Sequence, residues 1–287
     1  MISEVPGSRV EEIGEAHNVE HLFIGHNAAL EDLLFNRNLV ELVFRRACHQ
    51  ATLYFIQHLI DELATDVTEL MILSKGLSYQ LGSAFATAAE RNLPCNLIAT
   101  TRTTASDDGA KVEVIYSRFD AGGSTLIIGD TVASGATIIT ALDEYRQHHS
   151  LKRVYILSYA GSLVGAQRIQ LYCSDHCIEV VFLFGLAAFG LARNGFDLSF
   201  LHPDTVCRET YRQRAAMQFG DRAVSAVGWD FGSQMMAPQK YRQLCWLEAQ
   251  KWDLADSQSL LLAEEPVDFS LVSRERIAIQ DQIDSDP

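Results

Sequence analysis

Residues 124–142, STLIIGDTVASGATIITAL, hold the residue types best suited to chemistry in this chain. Thr125, Leu126, Ile127 and Ile128 read as a short buried strand that stops at Gly129-Asp130. A loop follows from Thr131 to Thr137, and a helix opens with Ile138, Ile139, Ala141 and Leu142 at core spacing. A strand, a loop of small residues and a helix N-terminus make an anion site, because unpaired backbone N–H groups and the helix dipole converge on one point. Ala133, Gly135 and Ala136 let the backbone approach a phosphate closely, and the hydroxyls of Ser134 and Thr137 donate to it. Asp130, at the carboxyl end of the strand, accepts hydrogen bonds from sugar hydroxyls. Phosphate on one side and hydroxyls on the other suit a ribose 5-phosphate. No Gly-Lys-Ser/Thr follows the loop and no GxGxxG is present, so it is neither a Walker A loop nor a dinucleotide fingerprint.

The elements that must hold this segment alternate along the chain. A helical pattern begins near Ala28 and continues or restarts through Leu39 to Ile60, with no Gly or Pro inside it. Glu69–Leu73 reads as a short buried strand, followed by Ser74-Lys75-Gly76-Leu77-Ser78 and a helix through Ala84 and Ala89. Pro94 breaks that helix, and Asn96–Thr100 is the next strand. The polar run 100–113 reads as a loop, partly mobile, and Val112–Tyr116 as a strand. Beyond the opening segment come a strand at Val154–Leu157, a helix at 163–172 and a strand at 178–184. Strands and helices alternating at this pace predict an α/β fold, with a parallel sheet flanked by helices on both faces.

Composition narrows the functional classes. The chain has 287 residues, 48% of them hydrophobic, enough for a full core. Its formal charge of −14 argues against a nucleic-acid surface, which needs clustered Lys and Arg. No segment approaches the roughly 20 apolar residues of a membrane helix; the run 178–192 comes nearest and reads as a buried strand leading into a turn. The polar, acidic N-terminus is unlike a signal peptide, and six scattered cysteines fit a reducing, cytoplasmic setting.

The segment 124–142 resembles the phosphoribosyl-diphosphate (PRPP) motif of the type I phosphoribosyltransferases: an apolar strand, one or two acidic residues, then a small, hydroxyl-rich loop entering a helix. Many members carry two adjacent acids; here the first position is Gly129 and only Asp130 is acidic. MILSKGLSYQLG, lying upstream in the right order, resembles the family's diphosphate-binding loop. The resemblance implies that Lys75, Gly76 and Arg102 hold diphosphate, with Mg2+ as the expected cofactor. It also implies that Thr103–Lys111 occupies the position of a mobile lid that excludes water from an oxocarbenium-like sugar. The uracil branch is the nearest in wording, through VEVIYSRFDAGGSTLIIGD and LSYAGSLVGAQRI, and the likeness spans roughly residues 69–190. The implied fold is that of the family, with a hood built from the terminal segments. The implied activity is transfer of the 5-phosphoribosyl group from PRPP to a nucleobase-like acceptor. The alternative is a PRPP- or nucleotide-sensing protein of the same fold without turnover. A second copy of the chain is the expected macromolecular partner, with no nucleic acid and no membrane.

On this reading residues 1–17 are a mobile lead, 18–252 the phosphoribosyltransferase-like domain and 253–287 an acidic tail. CSDHC at 173–177 has a ligand-like cysteine spacing but no second pair to complete a zinc site, so no metal is assigned there. Asp197 and Asp204 could orient an acceptor nitrogen or simply form turns. Trp229, Phe231 and Trp246 could stack on a base, with core packing the commoner role.

Overall fold

Strands that are apolar at successive positions require cover on both faces, and β6, β7 and β9 below meet that condition. The computed structural model describes residues 9–13, 17–36, 39, 41–105, 109–193, 195–219 and 225–226. Its elements begin with β1 (Arg9–Glu12), β2 (Leu22–His26), α1 (Ala28–Phe35), α2 (Glu41–Leu59), β3 (Val67–Leu73), a short 3-10 helix (Lys75–Tyr79) and α3 (Leu81–Ala89). Next come β4 (Cys95–Ala105), β5 (Gly109–Arg118), β6 (Thr125–Gly129), α4 (Ala136–Arg146), β7 (Arg153–Ser158), β8 (Gly161–Ser162) and α5 (Leu163–Asp175). The described elements finish with β9 (Glu179–Gly185), β10 (Ala187–Leu191), β11 (Leu198–Ser199), β12 (Val206–Cys207) and α6 (Glu209–Phe219).

Eight strands form one sheet in the order β1-β2-β9-β7-β6-β3-β4-β5. The six inner strands, β2 to β4, run parallel, while β1 and β5 pair antiparallel at the two edges. The expected parallel sheet is therefore corrected to a mixed one. Side chains alternate across it, as the strand period requires. Ile127, Tyr155, Leu157, Val181 and Leu183 pack with residues of α1, α2 and α3 on one face, and Leu126, Ile128, Val154, Ile156 and Phe182 with residues of α4 and α5 on the other. A second, smaller sheet forms around β10, which pairs antiparallel with β11 and β12 and parallel with β8.

The chain order explains where a ligand would sit. From β3 the connection runs outward to β4, whereas from β6 it runs the opposite way to β7. The crevice between the carboxyl ends of β3 and β6 is thus the point where winding reverses, the usual ligand position in open α/β sheets.

Two other expectations change. The polar run read as a loop is a hairpin: β4 reaches Ala105 and β5 starts at Gly109, with Thr103 opposite Lys111 and Thr104 opposite Ala110. Threonine-rich TTRTTA carries strand propensity through its β-branched residues, and polarity alone does not make a loop. Arg9–Glu12, inside the segment read as a lead, pairs with Phe23–His26 as β1. Residues 227–287, including Trp229, Phe231, Trp246 and the acidic tail, lie outside the described residues. The hood expected from the terminal segments falls largely there too. No helix among the described residues is long and apolar enough to cross a membrane.

One buried carboxylate ties the sheet to a helix. Glu69, on β3, is only 2% exposed, and burial pushes its pKa up to about 7, against the pull of the hydrogen bonds with Cys95 and the Gly82 amide. Its ordinary value is 4.5, so the folded state keeps a proton that the unfolded chain has lost. Stability from this group is therefore full at low pH and declines as pH rises through about 7. Glu69→Gln should stabilise the protein at pH 8 by roughly 2–3 kcal/mol, with the gain vanishing as pH falls to about 4.5. Urea unfolding at several pH values measures this, and a pH-independent difference would contradict it.

Candidate functional site

A cavity of about 300 Å3 opens at this crossover point, lined by Ile72, Leu73, Ser74, Lys75, Thr100, Arg102, Asp130, Thr131, Ala133, Thr137 and Phe196. That volume lies at the small end of the usual range for a ligand site. Five residues singled out from sequence, Lys75, Arg102, Asp130, Ala133 and Thr137, meet there. Gly76, Ser134, Gly135 and Ala136 do not line it. Gly76 is buried beneath the 3-10 turn, 3.3 Å from Met71 and 3.5 Å from the Gly129 carbonyl, measured from where a Cβ would stand. Gly135 is buried at the foot of α4.

The loop between β6 and α4 is held on both sides. Asp130 N–H donates to the Leu157 carbonyl at 3.2 Å and Val132 N–H to that of Ala160 at 3.2 Å, so the chain stays in register with the end of β7. The Ser162 hydroxyl donates to the Ala133 carbonyl at 2.5 Å and accepts the Gly165 amide at 2.8 Å, anchoring the loop on the first turn of α5. A side chain on Gly165 would stand 2.3 Å from the Ala133 carbonyl, so only glycine allows this seat. Gly135 has φ of +79° and faces the Gly165 carbonyl at 2.9 Å from a notional Cβ. It makes the left-handed turn into the helix.

The N-terminus of α4 differs from its neighbours in how it is capped. Asn27 caps α1 through a 2.8 Å bond from Leu30 N–H, Ser162 caps α5, and the Glu69 carboxylate takes the Gly82 amide at the start of α3. Gly135 gives α4 no side-chain cap. The first turn of α4, whose Thr137 lines the cavity, therefore has no N-cap side chain to take its amides.

Asp130 supplies the opposite charge. It is 5% exposed, its Oδ1 accepts the Thr131 amide at 2.8 Å, and burial pushes its pKa up to about 6. Lys75 and, more weakly, Arg102 pull it back down. With a value near 6 the carboxyl is mostly ionised at neutral pH, and cations or hydroxyl donors favour that form further. Lys75 and Ser74 reach the cavity because β3 ends at Leu73 and the chain turns at once into the 3-10 helix; the Leu73–Ser74 peptide is cis. Arg102 reaches it because β4 pairs with β3 only as far as Ala99 and then runs on past it.

The absent acid at position 129 has a steric cause. A Cβ on Gly129 would lie 2.5–2.7 Å from three atoms of the Tyr79 side chain. Tyr79 is fixed there by a stack on Tyr159, with ring centroids 4.0 Å apart, and by a 3.0 Å bond from the Tyr159 amide to its hydroxyl. Burial, and secondarily the charge of Asp130, holds the Tyr79 phenol well above its ordinary pKa.

Sequence reasoning missed Thr100, Thr131 and Phe196 in the lining, and Tyr79, Ser162 and Gly165 in support. Ser162 followed three residues on by Gly165, directly after a strand, is the one signal that pointed to a capped helix start. Phe196 had none. Asp197 and Asp204 do not line the cavity. Among the described residues no group of three or more His, Cys, Asp or Glu gathers to hold a metal ion; Cys173 is buried and Cys177 exposed.

No family model matches this chain, and no curated protein matches it. Solved structures resemble it at low identity. One is the AQ2163 protein from Aquifex aeolicus, at 14% identity and a TM-score of 0.47, covering 61% of this chain and 91% of that one. Another is adenine phosphoribosyl transferase from Trypanosoma brucei in complex with AMP, pyrophosphate and ribose-5-phosphate, at 13% identity and 0.41, covering 62% and 87%. A third is a hypoxanthine-guanine phosphoribosyltransferase from Bacillus anthracis, at 12% and 0.31, covering 42% and 69%. The second and third are named as adenine and hypoxanthine-guanine phosphoribosyltransferases, and the uracil branch that the sequence wording resembles is not shown. At such scores the functional assignment rests on the cavity itself.

Gly129→Ala tests the packing at its base. With a methyl forced against the Tyr79 ring, the protein should lose about 1–3 kcal/mol of stability in urea unfolding. An unchanged midpoint would mean that the ring moves freely, and that something else keeps an acid from this position.

Proposed function

We propose that this chain transfers the 5-phosphoribosyl group from PRPP to a nucleobase-like acceptor and releases diphosphate. The observation that supports this most is the convergence in one cavity of the uncapped start of α4, the buried carboxyl of Asp130 and the cations Lys75 and Arg102. On this reading the loop from Ala133 to Thr137, with the first-turn amides of α4, holds the 5-phosphate. Ser134, Gly135 and Ala136 act through backbone and loop shape. Asp130 accepts hydrogen bonds from the ribose hydroxyls, and Lys75 and Arg102 hold the diphosphate, with Gly76 allowing the turn that presents Lys75. Phe196 walls the remaining side, where an acceptor would lie.

The chain's own contribution is positioning and charge stabilisation. Ribose fixed by Asp130 and phosphate fixed by α4 leave the anomeric carbon facing the acceptor side. Lys75 and Arg102 stabilise negative charge building on the departing diphosphate. A single buried carboxylate in the cavity, with no wider ligand cluster among the described residues, fits Mg2+ held mostly by the substrate's own phosphate oxygens, with Asp130 as the protein group. When bound, the ion would neutralise part of the leaving group's charge.

The second reading, PRPP sensing without turnover, draws on Gly129, since Tyr79 fills the space that a second acid would need. Calorimetry with PRPP and Mg2+, followed by diphosphate release across a panel of bases, separates the two. Binding with release from one base supports transfer; binding with none supports sensing; no binding would sink both.

Two further outcomes are expected. Asp130→Asn should weaken PRPP binding about 10- to 100-fold, the usual worth of hydrogen bonds to a charged group, and Lys75→Ala about tenfold. Because burial raises Asp130 from 3.8 to about 6, PRPP affinity should rise as pH climbs through about 6. The ligand's phosphate ionises in the same range, so the comparison is with Asp130→Asn, which keeps the ligand's share of the rise and loses the protein's. Identical pH profiles for the two proteins would refute the assigned role.

A further inference from the structure

Arg102 and Phe196 come from different layers of the molecule. Arg102 lies where β4 has run beyond its partner β3, and Phe196 on the connection between β10 and β11 of the smaller sheet. Their side chains meet at the cavity, the guanidinium carbon 4.6 Å from the ring centroid. Both line it and both are exposed, Phe196 to 48%.

This contact occupies two features that ligands would need. The guanidinium is one of the two cations in the lining, and the ring face is the flat apolar surface beside them. While the guanidinium lies over the ring, it covers that face, and its effect on Asp130 is weaker than that of Lys75. A cation–π contact at an exposed position is weak, whereas a guanidinium paired with phosphate oxygens gains charge-assisted, bidentate hydrogen bonds. An anion beside Lys75 therefore wins the competition for Arg102.

We propose that the Arg102–Phe196 contact is a latch released by anion binding: diphosphate draws Arg102 off the ring, and the bared face of Phe196 receives a flat aromatic acceptor. The inference rests on the PRPP reading in one respect, the anion held beside Lys75. Its consequence is an order of binding, with the sugar diphosphate favouring the acceptor and, by linkage, the acceptor favouring the sugar diphosphate. A water-exposed acceptor face is formed only after the donor is in place.

The test titrates inorganic diphosphate with Mg2+ into the wild-type protein, Phe196→Leu, Arg102→Gln and the double variant. Phe196→Leu frees Arg102 in advance and should bind diphosphate about two- to fivefold tighter, the worth of an exposed cation–π contact. The same change on the Arg102→Gln background should have no effect. Phe196→Trp keeps the contact and adds a reporter, whose emission should change on diphosphate addition only when Arg102 is present. Unchanged or weaker diphosphate binding by Phe196→Leu, or an equal gain without Arg102, would overturn the latch. Absence of diphosphate binding in all four proteins overturns both the latch and the PRPP reading. Latch behaviour without transfer to any base upholds the latch and removes only the transferase reading.

Discussion

The Tyr79 ring lies so close to the backbone of Gly129 that no side chain fits between them, and the rest of the site is arranged around that contact. Tyr79 belongs to the 3-10 turn that carries Lys75, and Gly129 is the last residue of β6 before Asp130. The ring thus bridges the two strand ends that border the crevice, joining the cation loop to the carboxylate loop. It is held in turn by Tyr159, whose hydroxyl donates to the Cys48 carbonyl of α2 at 2.9 Å. Stacked rings of this kind are stiff, and stiffness here fixes the separation between the residues offering positive and negative charge. Removing the side chain at 129 is the local cost of that bridge.

Electrostatics then works at two scales. The whole chain carries a formal charge of −14, which repels anions at long range. Within the cavity the balance is reversed: one carboxyl, raised to about 6 by burial, stands against Lys75, Arg102 and the uncapped end of a helix. Two cations and an uncapped helix end set against one carboxyl are what allow so acidic a protein to present an anion site. The same burial makes Asp130 responsive, because each cation or hydroxyl donor brought by a ligand favours its ionised form.

Much of the layout was readable before the structure, and the reason is physical. β6, β7 and β9 are apolar at successive positions because both sheet faces are covered, and the segments after β3 and β6 announce themselves through Lys75-Gly76 and Gly135-Ala136-Thr137. Loops that immediately follow strands bring their residues to one sheet edge whatever lies between them, so Lys75 and Asp130 could be paired across more than fifty positions of chain. Features set by lateral packing were unreadable. Gly129 looked like a missing acid, since nothing in the sequence links it to Tyr79. The outer part of the β4–β5 hairpin looked like a loop, since Arg102, Thr103 and Lys111 are polar and exposed and the run lacks an apolar stripe. Phe196 had no signal, because its place depends on the way the smaller sheet folds back over the larger one.

That folding back bears on the question that the sequence leaves most open, the identity of the acceptor. The ends of the cavity proposed to hold phosphate and diphosphate are made of segments that the main sheet positions directly, through β3, β4 and β6. The remaining wall is made by a loop of the second sheet, joined to the first through β8, whose Gly161 bridges to Val132 and whose strand pairs with β10. Val132 immediately precedes Ala133–Thr137, the loop proposed to hold the 5-phosphate. A displacement of the small sheet would therefore be felt at that loop, and filling the phosphate loop would be felt at the wall bearing Phe196. The two halves of the site share a backbone connection, so on the proposed transferase reading discrimination among acceptors depends on whether the sugar phosphate is already bound.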